Sequence, residues 1–373
     1  MSGDTGGPMT GKERILKALS IAEPDRVPLF IHGINEGPIM GIGRHFTDGL
    51  PEGKQFHEMN DSEKGKLIET LLQLLEIFHI DGFTCLPIGP GTEFSDARPL
   101  VDDWGVGFER SPHGIPIPSV HPIRNESDLV GYRPPAPKRE QLLLVELMKE
   151  RFGDRKALFW MMRGAFVRSW RLMGMMNWMT AIYENPKLLH RAARMVTDYS
   201  LEQLEMLAEV GLDVLIVEDD IADTNAPLIS PEHFLEFVNP YNRELVDRAH
   251  GMGMKVVRHS DGNLWSLLDI LIRSGYDGLN PLEPQAGMTL KKVKAYCGER
   301  LCLLGNIDCQ ELLPAGTPEQ VRAAVRQAID DAAAGGGLII CSSNTFHPGV
   351  NPENCIAMFE ETRMYGRYAR EGV

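Results

Sequence analysis

Along this chain, short runs that are mostly apolar at successive positions alternate with longer stretches in which apolar residues recur every three or four positions. The runs are Val27 to Ile31, Ile80 to Leu86, Ala157 to Met162, Asp213 to Val217, Lys255 to His259, Asp277 to Asn280, Leu301 to Leu304 and Gly337 to Cys341, eight in all. Strands buried on both faces read this way, apolar at successive positions instead of alternating. The amphipathic stretches include Asp61 to Phe78, Pro186 to Val210, Ser230 to Gly251, Leu264 to Ser274 and Thr317 to Ala334. Two of them, at Ser230-Pro231-Glu232 and Thr317-Pro318-Glu319, open with a capping residue before a proline and an acid in the first turn. Eight strands separated by helices predict an α/β protein built as a single (β/α)8 TIM barrel, with an N-terminal helical extension at Gly11 to Leu19. A doubly wound open sheet is the alternative, but no glycine-rich dinucleotide turn follows any of the strands.

Residues 88 to 135 break the alternation, being rich in Gly, Pro and Asp. Within them Asp102-Asp103-Trp104-Gly105-Val106-Gly107-Phe108 predicts a hairpin over the barrel mouth, a lid or binding loop. A structural flap or an oligomer contact fits the same composition equally well. The domain plan is a disordered start at 1–10 and a barrel over 11–373, with an insertion at about 88–135.

Charge narrows the partners. Asp and Glu number 52 against 38 Lys and Arg, a net charge of −14, which argues against a nucleic-acid or anionic-membrane surface. No apolar run reaches membrane-spanning length and the start has no signal-peptide core, so the expectation is a cytoplasmic protein. The six cysteines form no CxxC pair and read as reduced, mostly buried thiols.

The strand ends are where barrel chemistry is expected. Read in order they carry His32, Arg163, Glu218-Asp219-Asp220, His259-Ser260-Asp261, Asn280 with Glu283, Asn306 with Asp308, and Asn344 followed by His347. On a strand, positions i and i+2 face the same way, so His259 and Asp261 project together. Such a pair is either an acid/base couple or two metal ligands, or a histidine oriented by a turn aspartate. Three successive acids repel one another unless a metal, Arg163 or Arg258 relieves them; the alternative is that one caps the next helix and another pairs with an arginine. His259 and Asp261, with Glu218 taken as third ligand, make a hard N/O site suited to zinc, magnesium or manganese remaining open alternatives. Trp160, Arg163, Trp170 and Met173, in a segment dense in Met and Trp, are candidate substrate-binding residues together with His32, core packing being the equal alternative for that stripe.

The blocks Lys12-Glu13-Arg14 to Arg26-Val27-Pro28, Asp103-Trp104-Gly105-Val106, Ile229-Ser230-Pro231-Glu232, His259 to Asn263, Gly305-Asn306-Ile307-Asp308, Glu311-Leu312-Leu313 with Gly316 to Glu319, Gly335-Gly336-Gly337, Asn351 to Asn354 and Tyr365 to Tyr368 span nearly the whole chain. In these blocks the chain resembles the uroporphyrinogen decarboxylase-like superfamily, in the branch that includes corrinoid (cobalamin)-dependent methyltransferases. The resemblance implies the barrel independently of the strand pattern.

It also implies two chemistries. Porphyrinogen decarboxylases carry an arginine-bearing arm after the first strand and a histidine in the last-strand loop; the matching places here are His32-Gly33-Ile34-Asn35-Glu36, without arginine, and Asn344. Thiol-methylating members bind zinc through a His-x-Cys pair and a last-loop cysteine, which here resemble His259, Asp261 and Asn344. An oxygen-rich version of that site is matched to a methyl ether, such as a methoxylated aromatic. The implied function is the methyltransferase component of a corrinoid-dependent O-demethylation system, with Asp220, Glu283, Asn344 and His347 as catalytic candidates. The corrinoid would arrive on a separate protein, since the chain has no Asp-x-His-x-x-Gly signature. A cofactor-free decarboxylase using Arg163, Arg168 and Arg171, and a non-enzymatic tetrapyrrole carrier, are the competing readings. The oligomeric state is left open, a homodimer included.

Overall fold

The computed structural model of the chain describes residues 8–51, 53–87, 100–110 and 116–368. Its strands are β1 Phe30–Ile31, β2 Gly82–Cys85, β3 Leu100–Val101, β4 Gly107–Arg110, β5 Pro116–Val120, β6 Ala157–Arg163, β7 Val214–Glu218, β8 Lys255–His259, β9 Gly278–Asn280, β10 Cys302–Ile307 and β11 Leu338–Ser342. Eight of them, β1, β2 and β6 to β11, form one parallel sheet in that order, and a parallel bridge between Leu29 and Ile340 joins its first and last segments. The fold is a (β/α)8 barrel. All eight coincide with apolar runs of the sequence, and they are buried almost throughout because helices cover the outer face while side chains fill the interior.

The chain divides into two compact units, 1–84 with 148–159 and 277–373, and 85–147 with 160–276. In the first, the helix Gly11–Leu19 starts on a capping box in which Thr10 and Glu13 satisfy each other's backbone N–H groups. Buried Asp81 fastens the segment that follows, accepting from Arg14 Nη1 (3.1 Å), Arg26 Nη1 (2.7 Å) and the Leu29 N–H (2.9 Å). Of the expected disordered start at 1–10, residues 1–7 lie outside the described residues.

In the second unit the helix Pro186–Glu209 opens on Asn185. The stretch Ser230 to Gly251 is not one helix but two, Pro231–Phe237 and Asn239–Gly251, interrupted at Val238 (φ −122°). Pro240 explains the break, because its ring excludes a helical hydrogen bond from that position and is tolerated only in a first turn. Likewise Leu264 to Ser274 begins as a 3₁₀ turn and becomes α-helical only over Leu268–Arg273. The hairpin is present: β3 and β4 are antiparallel, and Asp102 Oδ1 accepts from the N–H groups of Trp104 and Val106 (both 2.9 Å). Its turn is docked on helices, with buried Trp104 against Tyr199 (4.7 Å between rings) and under the Arg168 guanidinium (4.6 Å). Of the insertion, residues 88–99 and 111–115 lie outside the described residues.

Candidate functional site

Strands β7 and β8 pair in parallel up to Glu218 opposite His259. Beyond that pair both chains leave the sheet but remain stitched together. The Asp219 N–H donates to the His259 carbonyl (3.0 Å), the Asp261 N–H to Asp220 Oδ1 (3.2 Å), and the Ile221 N–H to the Ser260 hydroxyl (3.1 Å). This stitching brings one ligand atom each of Asp220, His259 and Asp261 within 4.8 Å of one another. His259 Nε2 stands 3.9 Å from Asp220 Oδ1 and 3.8 Å from Asp261 Oδ1. Those separations are too long for hydrogen bonds. They match the roughly 3–4 Å between adjacent donors that metal–ligand bonds near 2 Å impose. His259 is buried, while the two aspartates keep 40% and 32% of their side-chain surface exposed. One imidazole and two carboxylates in a half-open mouth fit a divalent ion with a coordination place left for a ligand oxygen.

Beneath the cluster lies a fully buried polar network. Asp219 accepts from the Val167 N–H (2.6 Å), Asn242 Nδ2 (2.7 Å) and Arg258 Nη1 (3.3 Å). Asn242 in turn accepts from the Ala165 N–H (2.9 Å). Burial raises the Asp219 carboxyl above its ordinary range, opposed by Arg258 and these donors. A Cβ on Gly164 would sit 2.4 Å from Asp219 Cγ, so only glycine admits this approach. Sequence reasoning named Arg258 only as a possible counter-charge and missed Asn242. The signal was there: a polar residue on the apolar face of an otherwise amphipathic helix.

The structure corrects the assignment of Glu218 as a metal ligand. Glu218 is the last residue of β7, and its carboxylate is taken by Arg163 Nη1 through both oxygens. Burial would raise its carboxyl, but Arg163, then His259 and Arg171, hold it below the ordinary range. Asp220 takes the third place instead, because the chain has left the pleat after Glu218 and face-alternation no longer applies. Trp160 follows the core-packing alternative: it is 1% exposed, with its indole N–H 3.4 Å from Gln203 Oε1 on the helix Pro186–Glu209. Met173 is buried as well, whereas Trp170 is half-exposed.

His32, Glu283, Asn344 and His347 all belong to the first unit. His32 is buried and edge-on to Phe30. Asn344 Oδ1 accepts from the Thr345 N–H (2.7 Å). The Glu283 carbonyl accepts from the Ala286 and Met288 N–H groups, closing a tight turn. His347 accepts from the Gly349 N–H at Nδ1 (3.1 Å) and faces the Cys309 carbonyl with Nε2 (2.9 Å), so both ring nitrogens hold a loop in place.

A barrel with hard N/O ligands at its strand ends defines a class of enzyme, and comparison with known proteins narrows it. Residues 10–365 match the family model for uroporphyrinogen decarboxylase (URO-D), and the chain belongs to that family. Relatives include a uroporphyrinogen decarboxylase of Methylococcus capsulatus, 26% identical over 83% of this chain and 89% of that protein. A methylcobamide:CoM methyltransferase of Methanosarcina mazei is 24% identical over 58% of this chain and 61% of that one. Among solved structures, a methyltransferase from Methanosarcina mazei superposes with a TM-score of 0.75 at 22% identity, over 97% of this chain and 100% of that one. Among the described residues no helix is long and apolar enough to cross a membrane, and all six cysteines are buried and unbridged.

Proposed function

We propose that this chain is the methyltransferase component of a corrinoid-dependent system, moving a methyl group from the oxygen of a small methoxylated aromatic to a corrinoid on a separate protein. The observation that carries this reading is the Asp220–His259–Asp261 cluster, a sulfur-free ligand set at two adjacent strand ends. Zinc is the ion best matched to three protein ligands and one open place, and bound there it would supply Lewis acidity toward an ether oxygen. The chain's own part is to hold the three ligand side chains in register through the backbone links between the two loops, and to keep Glu218 neutralised by Arg163. In the overall reaction the O–CH3 bond breaks and a cobalt–carbon bond forms. Cobalt(I) provides both electrons of the new bond, and the released phenolate oxygen takes a proton from water. The methyltransferase relatives, named for transfer between a methylcobamide and CoM, support a corrinoid as one party to the transfer; the residues of this site favour an oxygen-bound methyl group.

The decarboxylase names among the relatives support a second reading, in which arginines hold substrate carboxylates. Two of its three candidate arginines are already engaged, Arg163 by Glu218 and Arg168 by Asp102 and Trp104. The test is anaerobic incubation of the zinc-loaded protein with free cob(I)alamin and methoxylated aromatics, following methylcobalamin by its absorption. We expect methyl transfer that falls at least about a hundredfold in Asp261→Ala, since even indirect supports of a metal site are worth ten- to hundredfold. Release of CO2 from a porphyrinogen carboxylate, with no methylcobalamin formed, would overturn the proposal.

A further inference from the structure

Three arginines line the segment that leaves β6, and two of them are accounted for. Arg163 neutralises Glu218, and Arg168 lies 3.8 Å from Asp102 while capping the Trp104 ring. Arg171, in the last turn of the helix Ala165–Met173, is different. Its Nε is buried with no acceptor, and among the described residues its side chain has no hydrogen-bond or ion-pair partner. Its guanidinium lies beside the half-exposed ring of Trp170, with Cζ 5.7 Å from the ring centroid. A guanidinium stays charged and presents five donors in a fixed plane, so burying one without an acceptor is costly and seldom retained without a use.

Its position supplies the use. The helix that carries Arg171 is tied to the loop after β7 by the Val167 N–H on Asp219 (2.6 Å), the residue next to Asp220 of the candidate metal cluster, and Arg163, Glu218, Arg168 and Asp220 are among the charges around Arg171. Burial is the largest influence and brings its pKa down to about 10, so it remains cationic at neutral pH. The charge count around the cluster is also informative. Glu218 cancels Arg163 and Asp102 cancels Arg168, while Asp220 and Asp261 would cancel a divalent ion. One positive charge, that of Arg171, is left over.

We propose that Arg171 anchors a carboxylate on the methyl donor, with the Trp170 ring as the wall beside it, so that the substrate class is a small methoxylated aromatic acid. This rests on the methyl-transfer reading above and names its substrate. A planar carboxylate matches the guanidinium edge, which a neutral amide of the same shape does not.

The experiment is calorimetric titration of the zinc-loaded protein with para-methoxybenzoate, benzoate and the neutral isostere para-methoxybenzamide. We expect the acid to bind about ten- to hundredfold more tightly than the amide, the range for a charge-assisted hydrogen-bonded pair. Arg171→Met should erase that preference without lowering the melting temperature, and Arg171→Lys should restore part of it. Equal binding of acid and amide by the wild type, or an undiminished preference in Arg171→Met, would overturn the proposal. So would a sharp loss of melting temperature in both variants, which marks a purely structural arginine. The two readings fail separately. Arg171-dependent carboxylate binding without any methyl transfer removes the methyl-transfer reading and leaves the anchor. Methyl transfer that is equally fast from acid and amide, and indifferent to Arg171→Met, removes the anchor and leaves methyl transfer.

Discussion

Lys156, just ahead of β6, shows how far burial alone can move a charge in this protein. Its ammonium donates to the carbonyls of Leu75 (2.8 Å) and Ile80 (2.6 Å), and burial, only partly offset by Asp81, pulls its pKa down to about 8 from 10.5. Below pH 8 the lysine is charged in both folded and unfolded chains, and folding bears the cost of desolvating it. Between about 8 and 10.5 the folded chain has released its proton while the unfolded chain keeps it, so this group's contribution to stability rises with pH. The variant Lys156→Met removes the titration. Measured by denaturant unfolding, its stability relative to wild type should fall by about 2 kcal/mol between pH 7 and pH 9.5, at 1.36 kcal/mol per pKa unit. A difference independent of pH would contradict this. Individual residues were legible in the sequence unevenly. Strand periodicity named His259 and Asp261 together, although β8 ends at His259 and Asp261 is held near it by the Asp261 N–H to Asp220 link instead of the pleat. The choice between Glu218 and Asp220 could not be made that way, since it depends on where β7 ends. Trp160 stayed open between core and pocket, because a tryptophan in an apolar strand reads alike whether it packs against a helix or lines a mouth.

At the scale of elements, the loops after β7 and β8 are held at one narrow crossing. Gly262 has φ +85°, and a Cβ there would lie 2.5 Å from the Asp223 carbonyl oxygen and 2.7 Å from the Ala222 carbonyl carbon. Both obstacles are backbone, so nothing nearby can rotate away. Next to it the Asn263 N–H donates to that same Asp223 carbonyl (2.7 Å). Gly262→Ala therefore has to pull the two loops apart, with a left-handed penalty of about 1–2 kcal/mol added to the clash. We expect a loss of at least about 2 kcal/mol in thermal or denaturant unfolding, and weaker zinc binding, because Asp261 is adjacent. A variant with unchanged stability and metal affinity would show that the crossing is not structurally required. Helix starts at Ser230 and Thr317 were readable from capping residues and prolines. The break at Val238 was passed over, because the amphipathic period continues through it while Pro240 alone carries the signal.

At the scale of the molecule, eight short and mostly apolar runs separated by helices were enough to specify the barrel, since strands covered on both sides carry that pattern. The family membership adds the sheet's usual place for chemistry, the carboxyl ends of the strands. What the chain puts there is an imidazole and two carboxylates from the end of β8 and the loops after β7 and β8, a charged pair Arg163–Glu218 beside them, and the guanidinium of Arg171, which has no side-chain partner among the described residues. The network of Asp219, Arg258 and Asn242 underneath was invisible to pattern reading, because it joins three elements far apart in the chain. The claim on which this account turns is that Asp220, His259 and Asp261 hold a metal ion. Elemental mass spectrometry of protein loaded with zinc and then desalted tests it most directly. The account predicts about one zinc per chain in the wild type and in Glu218→Gln, and almost none in His259→Ala or Asp261→Ala. A wild type that retains no metal, or variants that retain as much as it does, would contradict it.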